Sequence, residues 1–384
     1  MCAENRRLQP WRYLSETAIQ LSQHGFKVSI ITDIPHGRDF PPHISVYSIS
    51  SLRQSPWSKN HALTEIIRSL NPAFILWNIG VISFLYQELP IDNSRVHIGI
   101  LTSPLYTVEE IRRVGWVRLI RHLPFTFLHV IGALSPDCLL KNGVNRNPFN
   151  LLVCETNTTA QRAKRRFWGG SVKVIPPGVD DVRQFISSCA LSLRSRLGFS
   201  ENEFLVGYFG ALHPIRGVHT LIRSISSVQR IYPQIRLLIL SRPTSTRAES
   251  DLKATQLLIR KLCISDKIRL LEAMFSPAEL MEWLMACDLI ALPFELVPSD
   301  APLSLLEAQA LGKSVVTTRL ASLPELLNSG GYLAEPGDVA SLTQAIYKAT
   351  RHRADPSQPC AREFTALRTW QVMGHEWSEL ISSL

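Results

Sequence analysis

Two stretches of this sequence carry residue types that can do chemistry at spacings that bring them together. The first is DLIALPFELVPSDAPLSLLEAQALGKSVVTT, from Asp288 to Thr318. A buried strand ends at Pro293, a loop carries acidic and hydroxyl groups, and a helix starts near Pro302. Ser299 and Asp300 lie just before that helix, Pro302 suits its first turn, and Gly312 suits its C-cap. A loop and helix N-terminus at the carboxyl end of a parallel strand is where such sheets hold anionic ligands. Leu303 to Glu307 spans one helical turn, so Glu307 lies near the open end and can accept hydrogen bonds from a sugar diol. The same local features fit equally a capped helix whose Glu307 faces solvent.

The second stretch is YFGALHPIRGVHTLIRSI, from Tyr208 to Ile225. A strand ends at Gly210, a short loop follows, and Arg216-Gly217 introduces a helix with an apolar stripe at Val218, Leu221, Ile222 and Ile225. Gly210 permits close backbone approach. Arg216 and the helix N-terminus place positive potential over one spot, which suits a diphosphate. An exposed arginine at a helix start is the plainer reading of that side chain taken alone.

For these residues to meet, the chain must build sheets that present their loops at one edge. Its 384 residues suffice for two α/β domains. Hydrophobic residues make up 45% and charged residues 19%, a globular composition. Strands are expected at VSIIT, ISVYSI, AFILW, VHIGIL, LLVCE and VKVI in the first half. In the second half they are expected at FLVGYF, IRLLIL, KIRLL, DLIAL and SVVTT. Near-continuous apolar strands separated by helix-length segments predict parallel sheets covered on both faces. IPPGVDDVRQF, Ile175 to Phe185, reads as the boundary between an N-terminal domain of residues 1–180 and a C-terminal one of residues 198–365.

The start of the chain departs from that pattern. A helix from about Tyr13 to His24 feeds VSIIT, and nothing before it reads as a strand. In a doubly wound sheet the first strand is central, and a Gly-rich phosphate loop follows it. The expectation is a fold that begins differently, or a strand and loop supplied by coding sequence upstream of Met1.

Several function classes lack support. No apolar run reaches the eighteen or so residues that cross a bilayer, and Leu123 to Leu134 reads as buried structure. The N-terminus has no apolar core of a secretory signal. Seven cysteines stand singly, without a C-x-x-C pair or zinc spacing, so reduced and mostly buried thiols in a cytoplasmic protein are expected. No Asp-x-Asp metal pair is present, and neither metal nor cofactor is expected. No strand is followed by G-x-G-x-x-G, which argues against a nicotinamide enzyme. The net charge of +9 is all that favours nucleic acid, and no nucleic-acid partner is expected.

The succession IPPGVD, FLVGYFGALHPIRGVHTLI, DLIALP and PLSLLEAQALGKSVVTT resembles the retaining glycosyltransferase family 4, whose members have the GT-B fold. The resemblance covers the chain from about Leu151 to its end. It implies two Rossmann-like domains facing across a cleft, with residues 366–384 forming a helix that returns to the N-terminal domain. It implies transfer of a sugar from a nucleoside-diphosphate sugar to a glycan or lipid-linked acceptor, with the anomeric configuration retained. Glu307 matches the family's ribose-binding glutamate, and Arg216 its diphosphate-binding lysine. Gly210, Gly217, Ser299, Asp300, Pro302 and Leu303 complete the implied donor site, with Arg216 and Asp300 as catalytic candidates. Thr102 and Ser103, at the end of VHIGILTSP, are the acceptor-side candidates, while His97 lies near the start of that strand. Ala211 stands where many members have arginine, and Ser299 where the family has a first glutamate. A second reading is therefore a non-catalytic GT-B protein acting as a binding or partner subunit.

One further segment suggests a location. IRRVGWVRLIRHL, Ile111 to Leu123, interleaves Arg112, Arg113, Arg118 and Arg121 with apolar residues around Trp116. As one helix it would present a basic amphipathic face to an anionic membrane. An ordinary helix packed on the sheet fits the same pattern.

Overall fold

The structure is a computed structural model that describes residues 11–33, 40–49, 60–81, 83–86, 88–115, 119–120, 123–181, 190–243, 248–353 and 368–384. Its architecture is α/β, with every ladder parallel.

In the C-terminal half six strands form one sheet: β7 (Phe204–Gly210), β8 (Ile235–Ser241), β9 (Ile268–Glu272), β10 (Leu289–Ala291), β11 (Ser314–Thr318) and β12 (Tyr332–Ala334). Their order is β12-β11-β10-β7-β8-β9, so the winding reverses between β7 and β10. Every residue of β7 and of β10 is buried, as strands covered on both faces must be. Alternate residues feed opposite cores. Val206 and Tyr208 pack with the helix Val218–Val228. Leu205 and Phe209 pack on the other side with Leu284, Leu305 and Ala308. On the helix Val218–Val228 the expected stripe of Val218, Leu221, Ile222 and Ile225 is fully buried, each residue contributing roughly 1.5–3 kcal/mol. The edge strand β12 escaped sequence reading because three residues carry too little periodicity to register.

The N-terminal half contains all six strands expected there, in two pieces. One piece pairs β1 (Ser29–Thr32) with β2 (Ser45–Ser48). The other runs β3 (Phe74–Ile79), β4 (Val96–Leu101), β5 (Leu151–Cys154) and β6 (Ser171–Val174). Among the described residues no ladder joins β1 to β3, and no strand precedes the opening helix Trp11–Gln23. Ile31 of β1 and Ile75 and Trp77 of β3 share a small cluster around Leu63 and Ile67 of the crossing helix His61–Leu70. The two pieces thus lie over one helix with their facing edges unzipped. Strands β4 and β5 are almost wholly buried, whereas every residue of β1 is only half-buried.

The closing helix Trp370–Ser382 lies against the opening helix. Trp377 Nε1 donates to Tyr13 Oη at 3.1 Å, and a Cβ on Gly374 would meet Gln20 Cβ at 2.4 Å.

Three expectations need correction. The segment Ile111–Leu123 is not a single helix. Helix Val108–Val114 stops at Gly115, whose φ of 88° lies in the left-handed region. Ile111, Val114 and Leu119 point inward, whereas Trp116, Val117, Arg118 and Arg121 lie outside the described residues. Second, the helix Leu123–Leu134 is buried on one face only: Thr126 and Ala133 are enclosed, whereas Phe127, Leu128 and Leu134 are each about half exposed. Third, of the four cysteines among the described residues only two are enclosed, Cys154 and Cys287, while Cys138 and Cys263 are exposed.

Candidate functional site

The loops after β7 and β10 leave the sheet at its reversal point, where doubly wound folds open a crevice for ligands. Gly217 makes their approach possible. Its φ is 79°, and a Cβ there would sit 1.8 Å from Pro293 O, so any other residue would push the loops apart. Glu295 N and Leu296 N both donate to Ile215 O, at 2.9 and 3.0 Å. Thr220 Oγ1 donates to Glu295 Oε1 at 2.6 Å. The short turn Pro214–Arg216 then presents Arg216 beside Gly210, with Nη1 3.2 Å from where a Gly210 Cβ would stand. The guanidinium also lies over the Phe294 ring at 5.9 Å.

Glu307 sits on the helix Leu303–Ala310, where Pro302 is the N-cap residue rather than part of the first turn. Burial pushes its carboxyl pKa up to about 7; Arg242 acts most strongly against that rise, Asp180 adds to it, and Arg12 opposes it. Arg242 follows β8 directly, and Ser241 pairs in register with Gly210. Gly210, Arg216 and Arg242 therefore share one stretch of the carboxyl edge, and Glu307 lies within electrostatic reach of Arg242. Leu303 turns away from it into the N-terminal core with Ile98 and Trp370.

Asp300 has different neighbours. Its carboxylate, fully buried, accepts from Thr156 Oγ1 at 2.7 Å and Thr159 Oγ1 at 2.6 Å, both in the N-terminal half. Its N–H donates to Thr102 O at 2.9 Å, and its carbonyl accepts from Ser322 Oγ. Burial raises its pKa to about 6, although the threonine and serine bonds pull the other way. Beside it, Glu155 accepts from Ala301 N at 2.9 Å. Burial and then the neighbouring Asp300 drive the Glu155 pKa well up. Ser299 is buried in the same loop. Of the acceptor-side candidates, buried Thr102 donates to Asn78 Oδ1 at 3.3 Å, while Ser103 lies close to Gly80. His97 is a fully buried core residue, its ring nitrogens 3.0 Å from Trp77 Nε1 and 3.3 Å from Asp92 N.

The clasp around Asp300 extends along the boundary between the halves. Tyr106 Oη donates to Val297 O at 2.7 Å and accepts from Val297 N at 2.8 Å. Glu325 accepts from the N–H groups of Asn157 and Thr158, both at 2.7 Å, at the start of the helix Asn157–Arg166. Glu110 is held by Arg162 at 2.8 Å and also accepts from Ala321 N. Sequence reasoning missed Arg242, Glu155, Thr156, Thr159 and Tyr106. Only the first carries a local signal, a cation directly after an apolar strand.

Among the described residues no group of three His, Cys, Asp or Glu is placed to hold a metal ion, and no helix is long and apolar enough to cross a membrane.

Comparison with known proteins bears on the half of the chain that carries this edge. Residues 203–352 match the family described as glycosyl transferases group 1. Over that stretch the chain is similar to a group 1 glycosyltransferase domain. It is similar to the D-inositol 3-phosphate glycosyltransferase of Corynebacterium jeikeium, 29% identical over 62% of this chain and 61% of that protein. The namesake from Mycolicibacterium smegmatis is 23% identical over 93% of this chain and 82% of its own length. The fold extends through both halves. Sucrose-phosphate synthase from Thermosynechococcus elongatus superposes with a TM-score of 0.69 at 16% identity, covering 97% of this chain and 92% of that one. Anabaena Alr3699/HepE, solved with UDP and glucose, gives 0.64 at 18% identity, with 96% of each chain covered. The glycosyltransferase kinship and the GT-B architecture expected from the sequence both stand.

Proposed function

We propose that the group 1 domain and its N-terminal companion form a retaining glycosyltransferase that takes a sugar from a nucleoside-diphosphate sugar. The observation that carries this reading is Arg216 set beside Gly210 at the reversal point of the C-terminal sheet, with Glu307 on the helix Leu303–Ala310 within electrostatic reach of Arg242 at the end of the neighbouring strand. Glu307 accepts from the ribose diol. Arg216, with the start of the helix Val218–Val228, stabilises charge growing on the leaving diphosphate. Gly210 and Gly217 leave room for the phosphates. The acceptor, a glycan or lipid-linked hydroxyl, enters from the side of Thr102 and Ser103 and attacks the face from which the diphosphate departs. The reaction as proposed needs no metal or cofactor, since Arg216 and the helix end supply the positive charge. The names of the relatives and the UDP bound in Anabaena HepE support the substrate class. Asp300 enters the scheme through the clasp. It contacts a donor sugar when the loop around Ser299 releases Thr156 and Thr159, and domain opening accompanies each turnover.

Exposed Ile120, Phe127, Leu128 and Leu134, with exposed Arg112 and Arg113 on the contacting helix Val108–Val114, support a working place on the surface of an anionic membrane. A non-catalytic binding subunit is the second reading. The clasped Asp300 and the divided N-terminal sheet favour it. Purified protein screened against UDP-, GDP- and ADP-sugars, for binding and for nucleotide release, separates the two. Binding with release supports the enzyme, binding without release the subunit, and no binding to any of them overturns both.

A further inference from the structure

We infer that Arg242 is the second phosphate-binding cation of the donor site and that, with Arg216, it clamps the nucleoside diphosphate from the opposite face of the sheet. The inference rests on the proposed donor reading and deepens it.

The loop after β7 brings only Arg216 to the edge, because Ala211 and Leu212 are apolar and His213 is buried. A diphosphate carries more charge than one half-buried guanidinium matches. The register of the neighbouring strand supplies a second cation. Gly210 stands opposite Ser241, both at the last position of their strands, and Arg242 is the next residue. Strand alternation separates the two sides. Leu237 and Ile239 pack with the helix Val218–Val228, so Ser241 shares the face on which that helix begins. Leu238 and Leu240 pack with Leu305 and Ala308 of the helix that carries Glu307, and continued alternation puts Arg242 on that face. The electrostatic pull of Arg242 on Glu307 agrees with this placement.

Ser241 gives a second, independent indication. Its residue is 1% exposed, and its Oγ has no hydrogen-bond partner among the described residues. A buried hydroxyl at the carboxyl edge, next to a glycine that leaves space, is a donor waiting for an acceptor. A phosphate oxygen laid across Gly210 would satisfy it. Arg216 would lie on one side of that phosphate and Arg242 on the other, each forming charge-assisted bonds.

The test is calorimetric binding of UDP, GDP and ADP, and of the matching nucleosides, to the wild-type chain and to Arg242→Gln. Expected is a loss of at least about tenfold in diphosphate affinity, with the nucleoside nearly unaffected. Introducing Ala211→Arg into the Arg242→Gln background should recover part of that loss by returning a cation to the same edge. That recovery would also show that the single variant folds. An equal loss for diphosphate and nucleoside would make Arg242 a positioning residue for Glu307 and overturn the clamp. Unchanged affinities would overturn it as well, leaving the donor reading intact. Failure of the wild-type chain to bind any of the three diphosphates would instead count against the donor reading on which the clamp rests.

Discussion

Thr159 and Asp300 meet across the domain boundary at 2.6 Å, hydroxyl to buried carboxylate. The bond ties the first turn of the helix Asn157–Arg166 to the loop before the helix Leu303–Ala310. Its partner Thr156 binds the other carboxylate oxygen and also caps the same helix through Thr159 N. The clasp is therefore part of the helix start, and opening it disturbs both halves.

The first prediction follows from the pKa of Asp300, raised to about 6 from an ordinary 3.8. A carboxyl with a raised folded pKa favours the fold while protonated. That contribution is complete below the unfolded value and disappears as pH climbs through the folded one. Ionising this group should therefore cost on the order of 3 kcal/mol between about pH 4 and 6. Asp300→Asn keeps the shape and removes the titration. Urea unfolding at pH 4.5, 5.5 and 7.5 should show the variant gaining on wild type as pH rises. A constant difference across that range would mean that Asp300 does not titrate in the clasp.

Glu307→Ala should weaken nucleotide binding by about 1.5–3 kcal/mol, the worth of a hydrogen bond to a charged group. Because burial lifts the Glu307 pKa to about 7, the wild-type bond should strengthen as pH rises through 7 and the carboxylate forms. Affinity measured from pH 6 to 8 should rise in wild type and stay level in the variant. Unaltered affinity in a folded Glu307→Ala protein would remove the residue from the site.

Arg216→Glu places a negative charge beside Gly210 and should abolish the preference for a diphosphate over its nucleoside. Parallel titrations with both ligands check this. An equal loss for the two would show that Arg216 does not touch phosphate.

The exposed face of the helix Leu123–Leu134 predicts membrane binding with two components. Pelleting with liposomes should require anionic lipid, weaken with salt, and fall when Arg112 and Arg113 become Gln. It should also fall when Phe127 and Leu128 become Ser, since both are about half exposed. Equal pelleting with neutral liposomes, or none with anionic ones, would leave a soluble acceptor as the substrate.

The unzipped edges of β1 and β3 should be visible in amide exchange. Backbone amides of β4 and β5, paired on both sides and almost wholly buried, should be protected by orders of magnitude more than those of β1. Matching protection in all four strands would mean that the gap is closed in solution.

All eleven strands read from local pattern are present, the central ones most plainly because a strand covered on both faces must be apolar along its whole length, as β7 is. Gly210 and Gly217 stood out in the sequence at the loop after β7; a φ of 137° disfavours a side chain at Gly210, and the carbonyl of Pro293 leaves no room for one at Gly217. The Glu307 helix was legible from its Pro302 start and Gly312 end. The irregular start of the chain was legible as well, and among the described residues no ladder joins β1 to β3. Tertiary structure alone decided what Asp300 touches. Thr156 and Thr159 are distant in sequence, and their contact depends on how two separately folded halves come to rest on each other. The same holds for Tyr106 against Val297. Exposure of Phe127 and Leu128 was hidden as well, since an apolar helix reads alike whether or not something covers it. The place of Arg242 came from the β7–β8 register, which puts Ser241 opposite Gly210. Periodicity describes one segment against an unspecified partner, and only the packed molecule supplies the partner.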